Sequence, residues 1–432
     1  MFTVFYFCLG FCLTLPDIAL RLYGRDELLL QPAQINSFYT LTILPWGLKP
    51  VYGLISDTFG FRGQRRRPYI LVGCTIGSLG YGLLALLPAT PTVALGCLIT
   101  AMTGVVAADV ASDSLVVETV KRQSATEKGK LQSKTTMARF AGALIASALS
   151  GVSLSIVQPR IVFACASAPL LLVFIVAYRF KEAPIDDTLY GRIDERFEGT
   201  DVEFEEDGSI QVQTRVLRFT ALRIRLRRLV DTFKQPDMTR PLSFLLLLMC
   251  MPNCSTAMFY YMTEKLHFEP EFLSLLSVLR HGFGWCGAAL YRLKFRTCNL
   301  RTIFIVTTLV IMVFHGSQLI LVTGANEVMG IPAKAFVIGS DSADAVVESL
   351  GLLPMLVLAV KLTPSGNEGS VYCSIIAFTN LARMVGGFIG SALTDMLGIS
   401  MQNFTNLWIL VLITTVCIPL PLVLIKRIPT SV

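Results

Sequence analysis

The sequence predicts an all-α membrane protein of twelve transmembrane helices, built as two parallel six-helix repeats. Three observations carry this reading. The composition is too apolar for water to be the only solvent, apolar stretches of spanning length recur from end to end, and a segment of the fifth stretch returns in register in the eleventh. The chain of 432 residues is 53% hydrophobic and only 16% charged, with a mean hydropathy of +0.62, whereas soluble domains carry roughly a quarter charged residues. A single soluble core also stops growing near about 250 to 300 residues, so the apolar surface must face lipid as well as protein.

A hydrocarbon layer of about 30 Å takes roughly 20 apolar residues as helix. Twelve stretches meet this need, near 2–20, 35–55, 68–87, 92–117, 131–157 and 161–180, then near 242–262, 272–291, 302–322, 331–360, 371–397 and 406–425. The first begins almost at Met1 without a basic leader or a small-residue cleavage site, so either it is expected to stay in the mature protein or a cytoplasmic tail precedes it in a longer chain. Short cytoplasmic loops carry the excess of Lys and Arg. That excess follows the even-numbered spans: Arg62 and Arg65 to Arg67 after the second, Lys121, Arg122, Lys128, Lys130 and Lys134 around the loop after the fourth. Arg292, Lys294, Arg296 and Arg301 follow the eighth, and Lys426 and Arg427 the twelfth. Both termini are therefore expected in the cytoplasm. Arg21 and Arg25, after the first span, are exceptions.

The domains expected are an N-terminal bundle over 1–180, a cytoplasmic connector over 181–240 and a C-terminal bundle over 241–432. The connector is acidic first, with Asp186, Asp187, Glu203, Glu205, Glu206 and Asp207, and then basic from Arg215 to Lys234. Its acidic part has too few apolar residues for a core, and 216–233 reads as a basic amphipathic helix on an anionic leaflet.

The net charge of +7 lies in short clusters between apolar stretches rather than in a stripe, so it argues for topology and not for nucleic acid. The 11 cysteines are an odd number, mostly within apolar stretches, so a disulfide framework is not expected. Cys8 with Cys12 and Cys250 with Cys254 have a spacing that puts two thiols on one helix face, but no ligand cluster completes a metal site. His267, His281 and His315 are isolated and read as packing or interfacial residues. No metal and no cofactor are expected.

The repeat is explicit. Ala138-Arg139-Phe140-Ala141-Gly142, continuing to Leu149, lies on Ala382-Arg383-Met384-Val385-Gly386, continuing to Leu393, with Ala, Arg, Gly, Ile, Ser, Ala and Leu matched. Val116-Val117-Glu118 in the fourth span has a counterpart in Val346-Val347-Glu348 in the tenth. Spans four and five therefore correspond to ten and eleven, which is the parallel six-plus-six arrangement of the major facilitator superfamily. Gly53 to Asp57 and the following Arg65, Arg66 and Arg67 resemble that superfamily's loop motif between spans two and three. The resemblance implies a role at the cytoplasmic gate. The fuller run Pro45-Trp46-Gly47-Leu48-Lys49-Pro50-Val51-Tyr52-Gly53, with Ser56-Asp57 and Arg65-Arg66-Arg67-Pro68-Tyr69, is similar to the folate-biopterin transporter family. Asp109 and Asp113 to Glu118 resemble that family's fourth-span signature. The resemblance implies movement of folates, pterins or related small organic metabolites by alternating access, often coupled to protons.

Charges at membrane depth cost about 2.5 to 3.5 kcal/mol each on insertion scales, so each needs a pathway role or a partner. Lys49 lies between Pro45 and Pro50, which weaken the helix. Arg139 and Arg383 fall roughly 12 to 18 Å into their helices at about 1.5 Å per residue. Asp109 and Asp113 share a helix face, as do Asp341, Asp344 and Glu348. As a binding or coupling set, Lys49, Arg139 and Arg383 would attract an anionic or hydrogen-bonding substrate, with the carboxylates as balancing charges or proton carriers. As a structural set they would be buried ion pairs that hold helices in register. Two further functions are compatible with the sequence: a nutrient sensor with a transporter fold, or an intramembrane enzyme, for which no Gly-x-Ser-x-Gly, His-Glu-x-x-His or Cys-x-x-Cys is present.

Overall fold

The structure, a computed structural model, describes residues 2–58, 64, 66–122, 128–180, 227, 230–295, 298–361 and 368–428. The connector up to residue 226, with most of the basic amphipathic helix expected over 216–233, Arg62, Arg65 and the Asp57 side chain lie outside the described residues. Helices make up nearly all of the described chain, and no strand occurs among the described residues.

The first half contains α1 (Phe2–Asp26), a second span broken into α2 (Pro32–Thr42), α3 (Leu44–Gly47) and α4 (Lys49–Thr58), and then α5 (Arg67–Leu86), α6 (Pro91–Arg122), α7 (Lys128–Ile156) and α8 (Pro159–Arg179). The second half begins with a seventh span broken into α9 (Pro236–Met249), α10 (Ser255–Tyr260) and a π turn over Tyr261–Lys265. It continues with α11 (Pro270–Leu290), α12 (Leu300–Val322), the short α13 (Ala325–Val328), α14 (Ala333–Lys361), α15 (Glu368–Met396) and α16 (Leu407–Cys417), which runs on into a 3-10 stretch over Leu420–Arg427. Each of the twelve expected stretches is helical in the structure.

Among the described residues, eight helices are long and apolar enough to cross a membrane by length and composition. The other four spans deviate for visible reasons. The second and seventh are interrupted, at Ile43 to Leu48 and at Cys250 to Cys254, the eighth carries Arg280, and the described part of the tenth carries Asp341, Asp344 and Glu348. The seventh-span break corrects one expectation: Cys250 ends one helix and Cys254 precedes the next, so they do not share a helical face. The helices also expose apolar side chains outward. Leu171, Leu172 and Ile175 of α8 are 50%, 48% and 51% exposed, a stripe that only a lipid environment makes stable.

Small residues set the helix spacing, and the repeat is visible in them. A Cβ added to Gly142 of α7 would lie 2.0 Å from the Phe7 carbonyl oxygen of α1, and one added to the matched Gly386 of α15 would lie 2.6 Å from the Met251 carbonyl oxygen in the seventh span. Gly10 returns the contact, its position lying 2.0 Å from the Arg139 carbonyl oxygen. Close backbone approach of this kind is what holds membrane helices together when lipid removes the hydrophobic drive between them.

The two halves meet through α7 against α11 and through α15 against α2. The matched serines serve both seams. Ser147 of α7 receives hydrogen bonds at its carbonyl from Ser274 (2.6 Å) and at its hydroxyl from Ser277 (3.2 Å) of α11. Ser391 of α15 bonds the Ser37 hydroxyl of α2 at 2.6 Å and donates to the Ala33 carbonyl. Asn36 donates to the Gly387 carbonyl at 2.9 Å and accepts from Thr256 at 2.9 Å. All of these lie towards the face that carries the turns after the first and seventh spans, where Tyr260 donates to the Leu30 carbonyl at 2.7 Å and Arg25 pairs with Glu264 at 3.1 Å.

Gly142→Ala is expected to destabilise the purified protein by about 1 to 3 kcal/mol, because the methyl group has no space. Gly82→Ala, where nothing lies within 4 Å, should be neutral or gain up to about 1 kcal/mol from helix propensity. Thermal unfolding in detergent compares the two; equal effects would contradict the packing.

Candidate functional site

Two charge clusters lie on corresponding spans of the two halves, the second and fourth in one and the eighth and tenth in the other. In the first, Lys49 opens α4, immediately after the break that lets the chain present Trp46 and Lys49 to α6. Its ammonium donates to Asp109 Oδ2 at 2.6 Å and lies 4.0 Å from Asp113 Oδ2. It also sits 4.8 Å from the centroid of the Trp46 ring, a cation–π distance. Asp109 is fully buried, and its second oxygen, Oδ1, has no hydrogen-bond partner among the described residues. Asp113, half-exposed, accepts from the Tyr6 hydroxyl of α1. Arg139 touches neither carboxylate directly but lies within electrostatic reach of both, and of Lys49. The sequence-predicted residues Lys49, Asp109, Asp113 and Arg139 are thus brought together, with Tyr6 added.

In the second cluster the cation is Arg280 of α11, which the sequence analysis did not single out. It bonds Asp341 at 3.1 Å and Glu348 at 2.5 Å, both on α14. Asp344, one turn along, keeps a buried oxygen without a hydrogen bond among the described residues. The arrangement repeats the first: a cation on the second helix of the half, carboxylates on the fourth. Arg280 was missed because it stands in an ordinary apolar helix with no proline or motif to flag it. Its only signal was a lone Arg near the middle of a span.

Arg383 does not join this cluster. Its side chain is exposed, and the contact it makes is from Nη2 to the Met249 sulfur at 3.6 Å. The identical sequence places of Arg139 and Arg383 therefore have different surroundings, one beside two carboxylates and one beside a thioether.

Of the expected gate motif, Arg66 is buried and donates to the Ser56 hydroxyl at 2.7 Å. Arg67 donates to the Ala177 carbonyl at 3.0 Å and to Gln64 at 3.2 Å, and its guanidinium lies 5.6 Å from the Tyr178 ring centroid. These contacts tie the loop to the ends of α4 and α8. A Cβ on Gly53 would meet only Val110, at an ordinary 3.7 Å, so packing does not demand glycine there. Asp57 and Arg65 fall outside what the structure describes.

The histidines have packing roles: His281 contacts the Ser277 carbonyl at 2.7 Å and the Ser147 hydroxyl at 3.2 Å, and His315 contacts Thr415 at 3.1 Å. His267 holds a left-handed turn with φ 52°. No group of three metal-ligating side chains occurs among the described residues.

Paired cations and carboxylates inside a helical bundle suit either a solute pathway or ion pairs that hold helices in register. A family model described as the BT1 family matches residues 9–432. The chain belongs to the BT1 family. It is 32% identical over 426 residues to a protein named folate-biopterin transporter from Synechocystis sp., covering 99% of this chain and 80% of the relative. It is 26% identical over 451 residues to a protein named probable folate-biopterin transporter 4 from Arabidopsis thaliana, covering 94% and 90%. Among solved structures it is similar to a D-xylose-proton symporter, with a TM-score of 0.68, 14% identity and coverage of 99% and 97%. This BT1-family chain therefore has the major facilitator superfamily fold and is a multi-pass integral membrane protein.

Replacing Lys49 by Gln strands a buried Asp109 carboxylate, and breaking a buried pair from one side costs about 3 to 5 kcal/mol. Lys49→Gln is expected to lower thermal stability by that order, and Lys49→Gln with Asp109→Asn to recover most of it. A double variant no more stable than Lys49→Gln alone would contradict the pairing.

Proposed function

We propose that the protein is a secondary transporter that carries folate, a pterin or a related small organic metabolite across a membrane by alternating access, coupled to protons. The observation that carries this reading is the pair of equivalent clusters, Lys49 with Asp109 and Asp113, and Arg280 with Asp341 and Glu348. Each half supplies a cation for an anionic or hydrogen-bonding solute. Each also supplies a carboxylate oxygen without a partner among the described residues, on Asp109 and on Asp344, as an acceptor for a proton or a ligand donor. The names of the two relatives support folate and biopterin as the substrate class, and the symporter neighbour supports proton coupling by analogy of fold.

In this reading Arg139 and Arg383 contribute substrate contacts from the two halves, Arg139 beside the first cluster and Arg383 from an exposed position open to a ligand. Asp57 with Arg65, Arg66 and Arg67 forms the cytoplasmic latch. The positive excess after the even-numbered spans puts both termini and the connector in the cytoplasm. The seam through Asn36, Ser37, Ser147 and Ser391 then lies in the outer half of the bundle, so this conformation is closed to the outside. Three domains follow, bundles over 1–180 and 241–432 with 181–240 as the connector.

Two measurements test this. Proteoliposomes are expected to take up folate or biopterin saturably, faster with an inward proton gradient, and to lose that acceleration with a protonophore. Arg139→Lys and Arg383→Lys keep charge but lose the planar fork, and at least one should weaken uptake by about tenfold at equal protein; normal affinity in both removes them from the binding site. Separately, a tag at either terminus is expected to be inaccessible from outside intact cells, and labelling there would reverse the topology.

A further inference from the structure

We infer that Arg21 is a carboxylate-binding residue for the transported ligand, held between aromatic rings from opposite halves at the closed end of the bundle. The ligand's identity rests on the transport reading above; the geometry does not. From sequence, Arg21 reads as a loop charge beyond the first span. Instead α1 continues to Asp26, so Arg21 stands on the helix roughly 7 Å before its end at about 1.5 Å per residue. Its guanidinium carbon lies 5.1 Å from the ring centroid of Tyr39 on α2 and 5.4 Å from that of Phe259 on α10. The first ring belongs to one half of the protein and the second to the other.

A guanidinium has five N–H donors and no acceptor. Four other cations use theirs: Arg280 binds two carboxylates, Arg160 bonds Glu27 at 2.6 Å, Arg25 bonds Asp26 and Glu264, and Lys49 bonds Asp109. Arg21 makes no hydrogen bond among the described residues. Asp17 Oδ2, one turn earlier, is 3.7 Å from Nε, close enough for charge attraction and too far for a hydrogen bond. Asp17 is also half-exposed, so solvent competes for it. Beside this fork the Tyr39 hydroxyl is buried and likewise without a hydrogen-bond partner among the described residues.

The buried Tyr39 hydroxyl costs free energy while it has no partner, and the partly exposed fork beside it, held only by charge attraction to Asp17, has N–H donors free; the chemistry of the two is complementary to one ligand group. A planar donor fork accepts a carboxylate in bidentate fashion, the phenol adds a donor, and the ring faces suit a flat body attached to that carboxylate. The charged and titratable groups within reach are Asp17 on the same helix, Tyr39, Tyr260 and Arg280. Arg280 already holds Asp341 and Glu348, so of these two cations Arg21 is the one with donors to spare. Because Tyr39 and Phe259 flank it from different halves, a carboxylate seated there contacts both halves only while this end is shut. Ligand binding and closure are thereby linked. The site is distinct from the Lys49 cluster: Tyr6 lies fifteen residues from Arg21 on α1, about 22 Å along the axis at 1.5 Å per residue.

The test is ligand binding to the purified full chain by thermal-shift titration, with folate, which bears carboxylates, against biopterin, which bears none. Arg21→Gln is expected to raise the folate Kd by at least about tenfold, as for loss of a charged hydrogen-bonded contact, while the biopterin Kd stays within about twofold. Arg21→Lys, which keeps the charge and the ring contacts, should lose affinity for folate alone, and it decides the matter if the Gln variant does not elute as a single folded species. Equal loss for both ligands, or unchanged folate binding, overturns the assignment in favour of a purely structural clamp. Should the wild type bind neither compound, the folate and pterin reading fails. The subsite is then decided by 4-aminobenzoylglutamate against its neutral diamide: preference for the dianion that Arg21→Gln abolishes sustains it, and no preference overturns it.

Discussion

A charge carried into the hydrocarbon layer has no water to solvate it, and the organisation of this protein follows from where those charges find partners. Lys49 reaches Asp109 on another helix, and Arg280 reaches Asp341 and Glu348 on another. Each pair binds the second helix of its half to the fourth. Replacing such pairs with apolar residues is often neutral or stabilising, so stability alone does not explain them. In the transport function proposed above they are costly groups placed to meet a solute, and Lys49 stands beside the break in the second span, where irregular backbone at membrane depth is stable only inside the protein or beside a polar cavity.

The internal repeat governs packing more strictly than chemistry. Gly142 and Gly386 occupy matched places and each lies against a backbone carbonyl of the first span in its half, on the helix itself for Phe7 and in the break of the seventh span for Met251. Ser147 and Ser391 also match, and each closes a seam with the opposite half. Arg139 and Arg383 match in sequence yet differ in surroundings, and the two acidic sets differ in number and spacing. Packing depends on backbone distance, which a repeated helix inherits; electrostatics depends on every neighbour, and those have diverged between the halves.

The seam between halves is built from contacts suited to opening. Its hydrogen bonds are mostly hydroxyl or amide contacts, each worth about 0.6 kcal/mol on average within a membrane, and its steric contacts use glycine and serine. Several such bonds hold one conformation firmly enough to populate it without making its release prohibitive. The ion pair of Arg25 with Glu264 also crosses the seam, at its partly exposed rim, where solvent weakens it.

The sequence by itself determined the solvent, the number of spans, the six-plus-six order and the family, because length, hydropathy and motif order are properties of local segments. It also marked Lys49, Asp109, Asp113, Asp341 and Asp344 as costly charges in need of partners. Only the tertiary structure decided which partners they have. Arg280 has no local signal, Arg21 looks like a loop residue until the first helix is seen to extend past it, and the Cys250 and Cys254 pair separates because the helix breaks between them. Periodicity reports the face of one helix, whereas an ion pair or a ring over a guanidinium depends on the distance between two helices far apart in the chain.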